Sequence, residues 1–400
     1  MRLGSLTRPL GLAATILVAA ATSCSTLGDG GEAAAACNSP GVTSEQVKLG
    51  FVVSDSSAAL SSARSGVDAR IGLANEQGGI HGRRIVYQWR DDANSPSQNA
   101  RVTEELLRRE SAFGLVAATS AIGDSLDSLT TQGVPVIGLA QSAWAKYQNL
   151  FSYQYEPSPE TVGRYIQASR GTKVAFVTTG ASAFTLDIIS RYKAAFGSIG
   201  LASTETISYA SSSDSPARVA QKLADFGADS LIGFTAPQDF AAIVHATRAA
   251  NLNLATSVSL TGYDRGLLPT LGPALAGVSF PVYFRPFEAG GAPIDRYRNA
   301  MTRFAPETIQ PEQQFAMRAF IYTDLFLRGL ELAGDCPTRE GFISALRGVT
   351  DYDAGGLIEP VDLSTNAGQP LSCYAFVQIN PAGDAFQVVR ERLCADGTGS

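Results

Sequence analysis

Apolar positions follow two different periods along this chain, and their alternation predicts strands and helices in turn. A near-continuous apolar run at 47–53 predicts a strand that is buried on both faces. Helical spacing follows at 63–77, period-two alternation at 85–89, and helical spacing again at 99–109. The alternation continues to residue 139. Because short connections between parallel strands make right-handed crossovers, this order predicts a doubly wound parallel sheet.

The pattern begins again after residue 157, which predicts a second lobe of the same α/β class. Its strands and helices are predicted, in chain order, at 174–178, 184–196, 205–209, 216–226, 230–234, 239–250, 257–260 and 278–284. A long helix at 312–334 and two strands at 374–379 and 386–389 end the series. About 360 residues remain when the amino-terminal segment is left out, and this is more than one hydrophobic core usually contains. Two lobes are therefore expected.

The turn between the first helix and the second strand is the most specific motif. Residues 75–83 read Asn-Glu-Gln-Gly-Gly-Ile-His-Gly-Arg, and paired glycines supply the positive backbone dihedrals that stop a helix and turn the chain. In type I periplasmic binding proteins, the first crossover helix ends in an Asn-x-x-Gly-Gly-Ile-x-Gly-Arg turn. The chain therefore resembles the branched-chain amino-acid (Leu/Ile/Val) receptors of ABC importers.

The resemblance implies two lobes joined by a three-crossing hinge, with crossings near 153–157, near 284–287 and after 355, and a tail that returns to the first lobe. The implied ligand-binding lobes comprise 41–154 plus 286–355 and 155–285. The remaining 356–400 would form C-terminal strands, hinge and a disulfide-stapled tail.

The amino terminus has the pattern of an export signal. Two arginines precede a short apolar run, and small residues lead to Cys24. This resembles a bacterial lipobox, which implies that 1–23 is removed, that Cys24 is lipidated and that 24–40 is a flexible tether on the outer face of the cell membrane. Simple secretion stays open, because Ala21 stands where leucine is usual.

Charge argues against a nucleic-acid partner. Without residues 1–23 the chain keeps 29 basic and 37 acidic residues, a net charge of −8, and no basic patch with interleaved aromatic residues occurs. After the signal, no apolar segment approaches the length of a membrane span.

Four further cysteines indicate disulfides in an exported protein, and four cysteines allow three connectivities. Pairing Cys336 with Cys373 and Cys37 with Cys394 is favoured, because each bond would tie a loose segment to an ordered one. A metal site is the alternative. No Cys-x-x-Cys pair is present and both histidines are distant in sequence, so no metal or other cofactor is expected.

Polar loops that follow predicted strands are the candidate ligand contacts. Hydroxyls and free amides at helix starts can hold a carboxylate. The resemblance implies that the loops at 119–121 and 140–142 hold the ligand's carboxylate through Ser120 and Ser142, with backbone groups of Ala140 and Gln141. Each serine could instead be a simple helix cap.

Three further residues complete the predicted site. Trp144 and Phe184 could form the wall of an apolar pocket, or could be core residues. The resemblance implies that Asp264 takes the ligand's ammonium group, which a carboxylate suits through charge-assisted hydrogen bonds. Asp264 could alternatively cap the helix that follows it. Bulky Gln141 and Trp144 depart from the family pattern and leave an amide, an aromatic amino acid or another small organic acid compatible.

The sequence contains short matches to enzyme motifs, but none of them is a complete catalytic site. Residues 123–126 read Gly-Asp-Ser-Leu, an esterase nucleophile motif, but no histidine follows His245 to complete a triad in that order. The Ser-x-x-Lys at 190–193 lies in a helix, and no P-loop or dinucleotide motif occurs. The acid pair at 91–92 is expected to be a solvated strand end. We therefore expect no enzymatic activity.

Together these features predict an extracytoplasmic solute-binding lipoprotein that is monomeric and closes two lobes on a small polar ligand, an amino acid or a related amide. Its implied partners are an ABC permease and its ATPase. The alternative is a ligand-binding sensor module that reports to a membrane receptor.

Overall fold

A computed structural model describes residues 37–55, 60–154, 156–180, 183–366 and 370–399. The predicted signal peptide at 1–23 and Cys24 lie outside the described residues, as does nearly all of the tether. The strands are Gln46–Val53 (β1), Arg84–Asp91 (β2), Leu115–Ala118 (β3), Val136–Gly138 (β4), Leu150–Phe151 (β5), Glu156–Pro157 (β6), Lys173–Thr178 (β7), Ala202–Ser208 (β8), Ser230–Phe234 (β9), Thr256–Ser259 (β10), Val278–Val282 (β11), Pro370–Leu371 (β12), Cys373–Ile379 (β13) and Phe386–Cys394 (β14). The helices are Ala63–Glu76 (α1), Pro96–Arg108 (α2), Leu126–Thr131 (α3), Pro159–Ala168 (α4), Ala183–Ser198 (α5), Pro216–Asp225 (α6), Pro237–Ala249 (α7), Leu268–Leu275 (α8), Ala292–Phe304 (α9), Gln314–Leu332 (α10) and Arg339–Arg347 (α11).

The first lobe is built on a five-stranded parallel sheet in the order β2-β1-β3-β4-β5. Strand β1 lies inside this sheet, and its residues from Leu49 to Val53 are fully buried, as the apolar run predicts. Helix α2 and the pair α1 and α10 pack against the sheet, and α11 packs against α10. This is the doubly wound arrangement expected from the sequence.

The glycine turn between α1 and β2 has the predicted conformation. Gly78 and Gly79 adopt positive φ values of 98° and 75°. A Cβ atom on Gly79 would lie 1.9 Å from the carbonyl oxygen of Arg83, so only glycine fits where the chain doubles back on itself.

The second lobe is built on a seven-stranded sheet in the order β14-β13-β11-β10-β9-β7-β8. Strands β7 to β11 are parallel, whereas β13 is antiparallel to β11 and β14 is antiparallel to β13. The prediction that the tail returns to the first lobe is therefore wrong. Its alternating apolar residues instead complete the edge of the second sheet beside β11.

Three chain crossings join the lobes. The chain leaves the first sheet after β5, and after β11 it returns to α9 and α10, which pack against α1 of the first lobe. It crosses again after α11 to reach β13. At the hinge, β12 pairs with β6 in a two-stranded parallel ladder, so two of the crossings are hydrogen-bonded to each other.

The four predicted disulfide cysteines form two bonds, but not in the favoured pairing. Cys37 bonds to Cys336, and Cys373 bonds to Cys394. The second pair lies directly across the β13–β14 ladder, where the two residues are register partners. The pairing was wrong because the sequence did not show that residues 373 and 394 face each other in one hairpin.

Two further properties concern the described residues alone. Within them, no helix is long and apolar enough to cross a membrane. In the same residues, no group of three or more His, Cys, Asp or Glu side chains is arranged to hold a metal ion.

Candidate functional site

The gap between the lobes is bordered by the carboxyl ends of both sheets. In the first sheet, the strand order reverses between β1 and β3, and in the second between β7 and β9. Such switch points are where open α/β sheets bind ligands. The two edges meet, because the loop after β4 contacts α5 through Ser142 and Asp187, whose Oγ and Oδ2 atoms are 3.3 Å apart. The lobes therefore present their strand-end loops to a common space.

A fully buried carboxylate organises the loops of the first lobe. Asp92 is 0% exposed at the end of β2. Its Oδ1 accepts hydrogen bonds from Ser54 Oγ at 2.7 Å and from the Asn94 amide at 2.9 Å. Its Oδ2 accepts from Thr119 Oγ1 at 2.5 Å and from Asn99 Nδ2 at 2.9 Å.

We call Ser54, Asp92, Asn99, Thr119 and Ser125 the Asp92 network. Ser125 belongs to it because its Oγ donates to Asn99 Oδ1 at 2.8 Å. The expectation that the acid pair at 91–92 is solvated is wrong for Asp92, because donors from β1, β3 and α2 converge on it. Ser125, the candidate esterase nucleophile, is a buried member of this network, and its hydroxyl hydrogen is directed at Asn99.

The predicted carboxylate contacts lie at the rim of the gap. Ser120 donates through Oγ to Asn94 Oδ1 at 2.9 Å, and its carbonyl oxygen accepts from Gln141 Nε2 at 2.9 Å. The two loops are therefore adjacent, as the resemblance implies. Ser142 is exposed and Ala140 is partly buried. Their contact with a ligand stays a prediction.

Trp144 is not a pocket wall. Its side chain is 0% exposed and packs in a core cluster of the first lobe with Leu106, Leu126 and Val134. The loop forms a short 3₁₀ turn at Ser142–Lys146, in which Trp144 is the buried residue. Phe184 lies in the first turn of α5, and its side chain is outside what the structure describes.

Asp264 connects the second lobe to the first. Its Oδ1 accepts a hydrogen bond of 2.6 Å from the amide of Gln314, the first residue of α10. It therefore caps a helix of the other lobe, in addition to any role toward a ligand. Burial raises the pKa of Asp264 to about 6, although the Gln314 hydrogen bond acts in the opposite direction. A cationic partner would stabilise the ionised form of this buried carboxylate.

Several buried polar groups in the hinge region were not predicted from the sequence. Gln314, Arg318 and Tyr322 on α10, with Tyr153 after β5 and Thr235 after β9, each carry a buried polar atom without a hydrogen-bond partner among the described residues. The spacing of 314, 318 and 322 places them on one helix face, but a helical period by itself reads as core. For Thr235, the position directly after strand β9 is the one sequence feature that could have indicated a site residue.

Open space lies beside this region. A cavity of about 380 Å³ occurs at the chain crossings, and its lining includes Tyr153, Tyr283, Arg285, Leu357 and Tyr374.

Comparison with known proteins agrees with this architecture. The profile of the family described as Periplasmic binding protein matches residues 46–384. No curated protein matches the chain. Among solved structures, the fatty acid ABC transporter substrate-binding protein from Thermomonospora curvata is 18% identical with a TM-score of 0.76, over 90% of this chain and 96% of that one.

Two other solved structures are similar. A branched chain amino acid ABC transporter from Thermus thermophilus with bound valine is 16% identical with a TM-score of 0.74, over 88% of this chain and 97% of that one. A solute binding protein from R. palustris in complex with benzoate is 16% identical with a TM-score of 0.69, over 86% of this chain and 95% of that one. At these identities, the likeness establishes the fold alone.

Proposed function

Because this chain belongs to the periplasmic binding protein family, we propose that it is the extracytoplasmic solute-binding component of an ABC importer. The observation that carries the proposal is that two sheets meet at their carboxyl ends around a three-crossing hinge. This geometry holds a small solute between lobes. The protein binds and presents its ligand, and the partner ATPase supplies the energy of transport through the permease.

Ligand binding works by a shift between open and closed lobes. A solute favours the closed form when only that form lets both lobes contact it. Rotation at the paired β6 and β12 segments brings the rims together, and Ser142 with Asp187 marks where they touch. In a hinge of this kind, a few residues at the ends of helices or strands change their backbone dihedral angles.

The ligand is proposed to be a small polar molecule, an amino acid or a related amide. Ser120, Gln141, Ser142 and Ala140 border the first-lobe rim and suit a carboxylate. Asp264 suits an ammonium group because a carboxylate accepts charge-assisted hydrogen bonds. Neighbours named for a fatty acid, valine and benzoate support a ligand with a carboxylate.

The cellular setting is part of the same proposal. Lipidation of Cys24 would hold the monomer at the outer face of the membrane, where a permease can receive the closed form. The Cys37–Cys336 and Cys373–Cys394 bonds suit an oxidising compartment of this kind.

A thermal-shift screen of the mature protein tests the proposal. Amino acids, amides and small organic acids are added singly, and a ligand specific to the native state raises the melting temperature by mass action. A rise at micromolar to millimolar concentration is expected for at least one of them. The absence of any rise across these classes would contradict the proposal.

Asp264→Asn tests the predicted ammonium contact. The amide keeps an oxygen for the Gln314 hydrogen bond but loses the charge, so affinity for an amine-bearing ligand should fall about 30-fold or more in calorimetry. Asp295→Asn, at a carboxylate that is 70% exposed in the first lobe, is the matched control. Unchanged affinity in Asp264→Asn would remove this assignment.

A further inference from the structure

One face of α10 carries a row of buried polar side chains, each with one polar atom that has no hydrogen-bond partner among the described residues. Gln314, Arg318 and Tyr322 are four residues apart and lie one above the other on the helix. They are 2%, 5% and 1% exposed. Gln314 Oε1, Arg318 Nε and the Tyr322 hydroxyl have no hydrogen-bond partner within the described residues. We call these three residues the α10 polar row.

Arg318 is a buried cation without an acidic partner among the described residues. Glu312 and Asp324, the nearest acids before and after it in the sequence, pair with other arginines. Two aromatic rings lie against the guanidinium instead: its Cζ atom is 5.2 Å from the ring centre of Tyr283 and 4.8 Å from that of Phe315. Rings attract a cation but leave its hydrogen-bond donors unused.

The position of Arg318 is between the lobes. The helix that bears it packs on α1 of the first lobe, whereas Tyr283 follows β11 of the second. One turn before it, the amide of Gln314 binds Asp264 of the second lobe. Groups of both lobes therefore surround this part of α10.

Two tyrosine hydroxyls without partners lie close to this cation. The rings of Tyr153 and Tyr322 are 5.4 Å apart, and the hydroxyls of both are buried and unpaired within the described part of the chain. Burial raises the pKa of Tyr322 and of Tyr283 to about 12, with the charge of Arg318 opposing the rise. Burial also raises the pKa of Tyr153 well above its ordinary value. Tyr153 and Tyr322 therefore stay neutral, so they donate hydrogen bonds and cannot serve as the counter-ion of Arg318.

Three of the unused groups, on Arg318, Tyr153 and Tyr322, have one chemistry in common, whereas Gln314 Oε1 is an acceptor and would need a donor of its own. A guanidinium and two phenols are hydrogen-bond donors, and the group that accepts several of them while neutralising a buried positive charge is a carboxylate. A buried arginine without such a group is costly to the ligand-free protein. That cost is recovered when a carboxylate enters.

We propose that Arg318, with the hydroxyls of Tyr153 and Tyr322, binds a carboxylate of the transported solute at the hinge side of the gap. The proposal rests on the solute-binding function above and deepens it by naming the ligand class, an organic carboxylate whose anionic group reaches the α10 polar row. Two sources fit this chemistry: an acid without an amine on an apolar body, and an acidic amino acid whose second carboxylate extends past Asp264.

Calorimetry with three probes on the mature protein tests the proposal. Benzoate represents the acid without an amine, L-glutamate the acidic amino acid, and L-valine the neutral amino acid. Benzoate or L-glutamate should bind, and Arg318→Met should weaken that binding about 100-fold, the size expected when one partner of a buried charge pair is removed. Arg318→Lys should recover part of the loss, because it restores charge but not the planar donor geometry.

Controls separate a binding role from a structural one. Arg328→Gln changes an exposed arginine of the same helix and should leave affinity unchanged. The melting temperature of ligand-free Arg318→Met should not fall, because the variant removes an uncompensated buried charge. Tyr322→Phe should weaken binding several-fold without lowering that melting temperature.

Three results would overturn the proposal. They are wild-type affinity in Arg318→Met, binding of L-valine alone, and no binding of benzoate or L-glutamate. L-valine bound equally by the wild type and Arg318→Met would reject the carboxylate site yet support solute binding. If no compound of the wider thermal-shift screen binds, the solute-binding function itself fails.

Discussion

The Asp92 network and the α10 polar row are both buried, yet their polar groups differ in how far the protein satisfies them. Asp92 accepts four hydrogen bonds, from the side chains of Ser54, Asn99 and Thr119 and from a backbone amide. In the α10 polar row, each member carries an atom with no partner among the described residues. A saturated network gives stability and fixed loop geometry, whereas an unsaturated one costs stability until something else completes it.

The difference suggests two roles: the Asp92 network is a structural scaffold, and the α10 polar row is a candidate surface for ligand recognition. The Asp92 network fixes the loops after β1, β2 and β3 and so holds the first-lobe rim in place. The α10 polar row lies deeper, beside the hinge. Hydroxyl-rich loops attract attention in the sequence, but the structure shows that much of their hydrogen-bonding capacity is already used internally.

The largest expected effect comes from breaking the saturated network. Asp92→Ala should lower the free energy of unfolding by about 3 to 5 kcal/mol, because it removes the common acceptor of four hydrogen bonds. Urea denaturation followed by circular dichroism measures this. A loss below about 1 kcal/mol would show that the network is not a stabilising scaffold.

A pH-dependent effect is expected at Asp264, which borders the α10 polar row. Its folded pKa of about 6 lies above the ordinary value of 3.8, so the folded state binds the proton more tightly than the unfolded state does. This contribution favours folding at low pH and is lost as pH rises from about 4 to about 6, by about 2 to 3 kcal/mol.

Unfolding measured from pH 4 to pH 7.5 in the wild type and Asp264→Asn tests this expectation. The unfolding free energy of the wild type should fall relative to that of Asp264→Asn as pH rises. The variant should be the more stable protein at pH 7. Parallel curves would contradict the raised pKa.

Two tyrosine hydroxyls near α10 give a matched comparison. The Tyr352 hydroxyl donates to Asp324 Oδ2 at 2.8 Å, so Tyr352→Phe should cost about 1.5 kcal/mol of unfolding free energy. Tyr322→Phe removes a hydroxyl that has no hydrogen-bond partner in the described part of the chain, and it should cost nothing in the ligand-free protein. Equal losses of unfolding free energy in denaturant titrations would mean that the two hydroxyls do not differ in hydrogen bonding.

The smallest effect is expected at the rim contact between the lobes. Ser142→Ala removes an exposed hydrogen bond of 3.3 Å to Asp187, a residue that also pairs with Arg191. The ligand-free protein should lose less than about 0.5 kcal/mol. A larger loss of unfolding free energy would indicate that rim contacts, rather than buried groups, hold the lobes together.

The elements of the fold could largely be predicted from the sequence. The predicted strand at 230–234 coincides with β9, and the helix at 216–226 differs from α6 by one residue. The helices α4, α8, α9 and α11 were not predicted. In α8 a proline lies inside the helix, and α9 is rich in charged residues, so the apolar period is weak.

The candidate site could be predicted only in outline. Ser120 and Gln141 are neighbours as expected, because both loops follow adjacent strands. Trp144 and the solvated acid pair were misassigned, since the direction of a side chain after a strand depends on the turn that follows. Arg318 was missed because its sequence neighbours are apolar, and only the three-dimensional structure shows that it has no acidic partner among the described residues.

The sequence alone determined the alternation of strands and helices, the glycine turn after α1 and hence two α/β lobes, because these depend on local periodicity and backbone conformation. Tertiary structure decided which cysteines pair, which sheet receives the C-terminal strands and which buried polar groups are satisfied. Those outcomes depend on contacts between residues that are far apart in the chain, such as Asp264 with Gln314 and Arg318 with Tyr283.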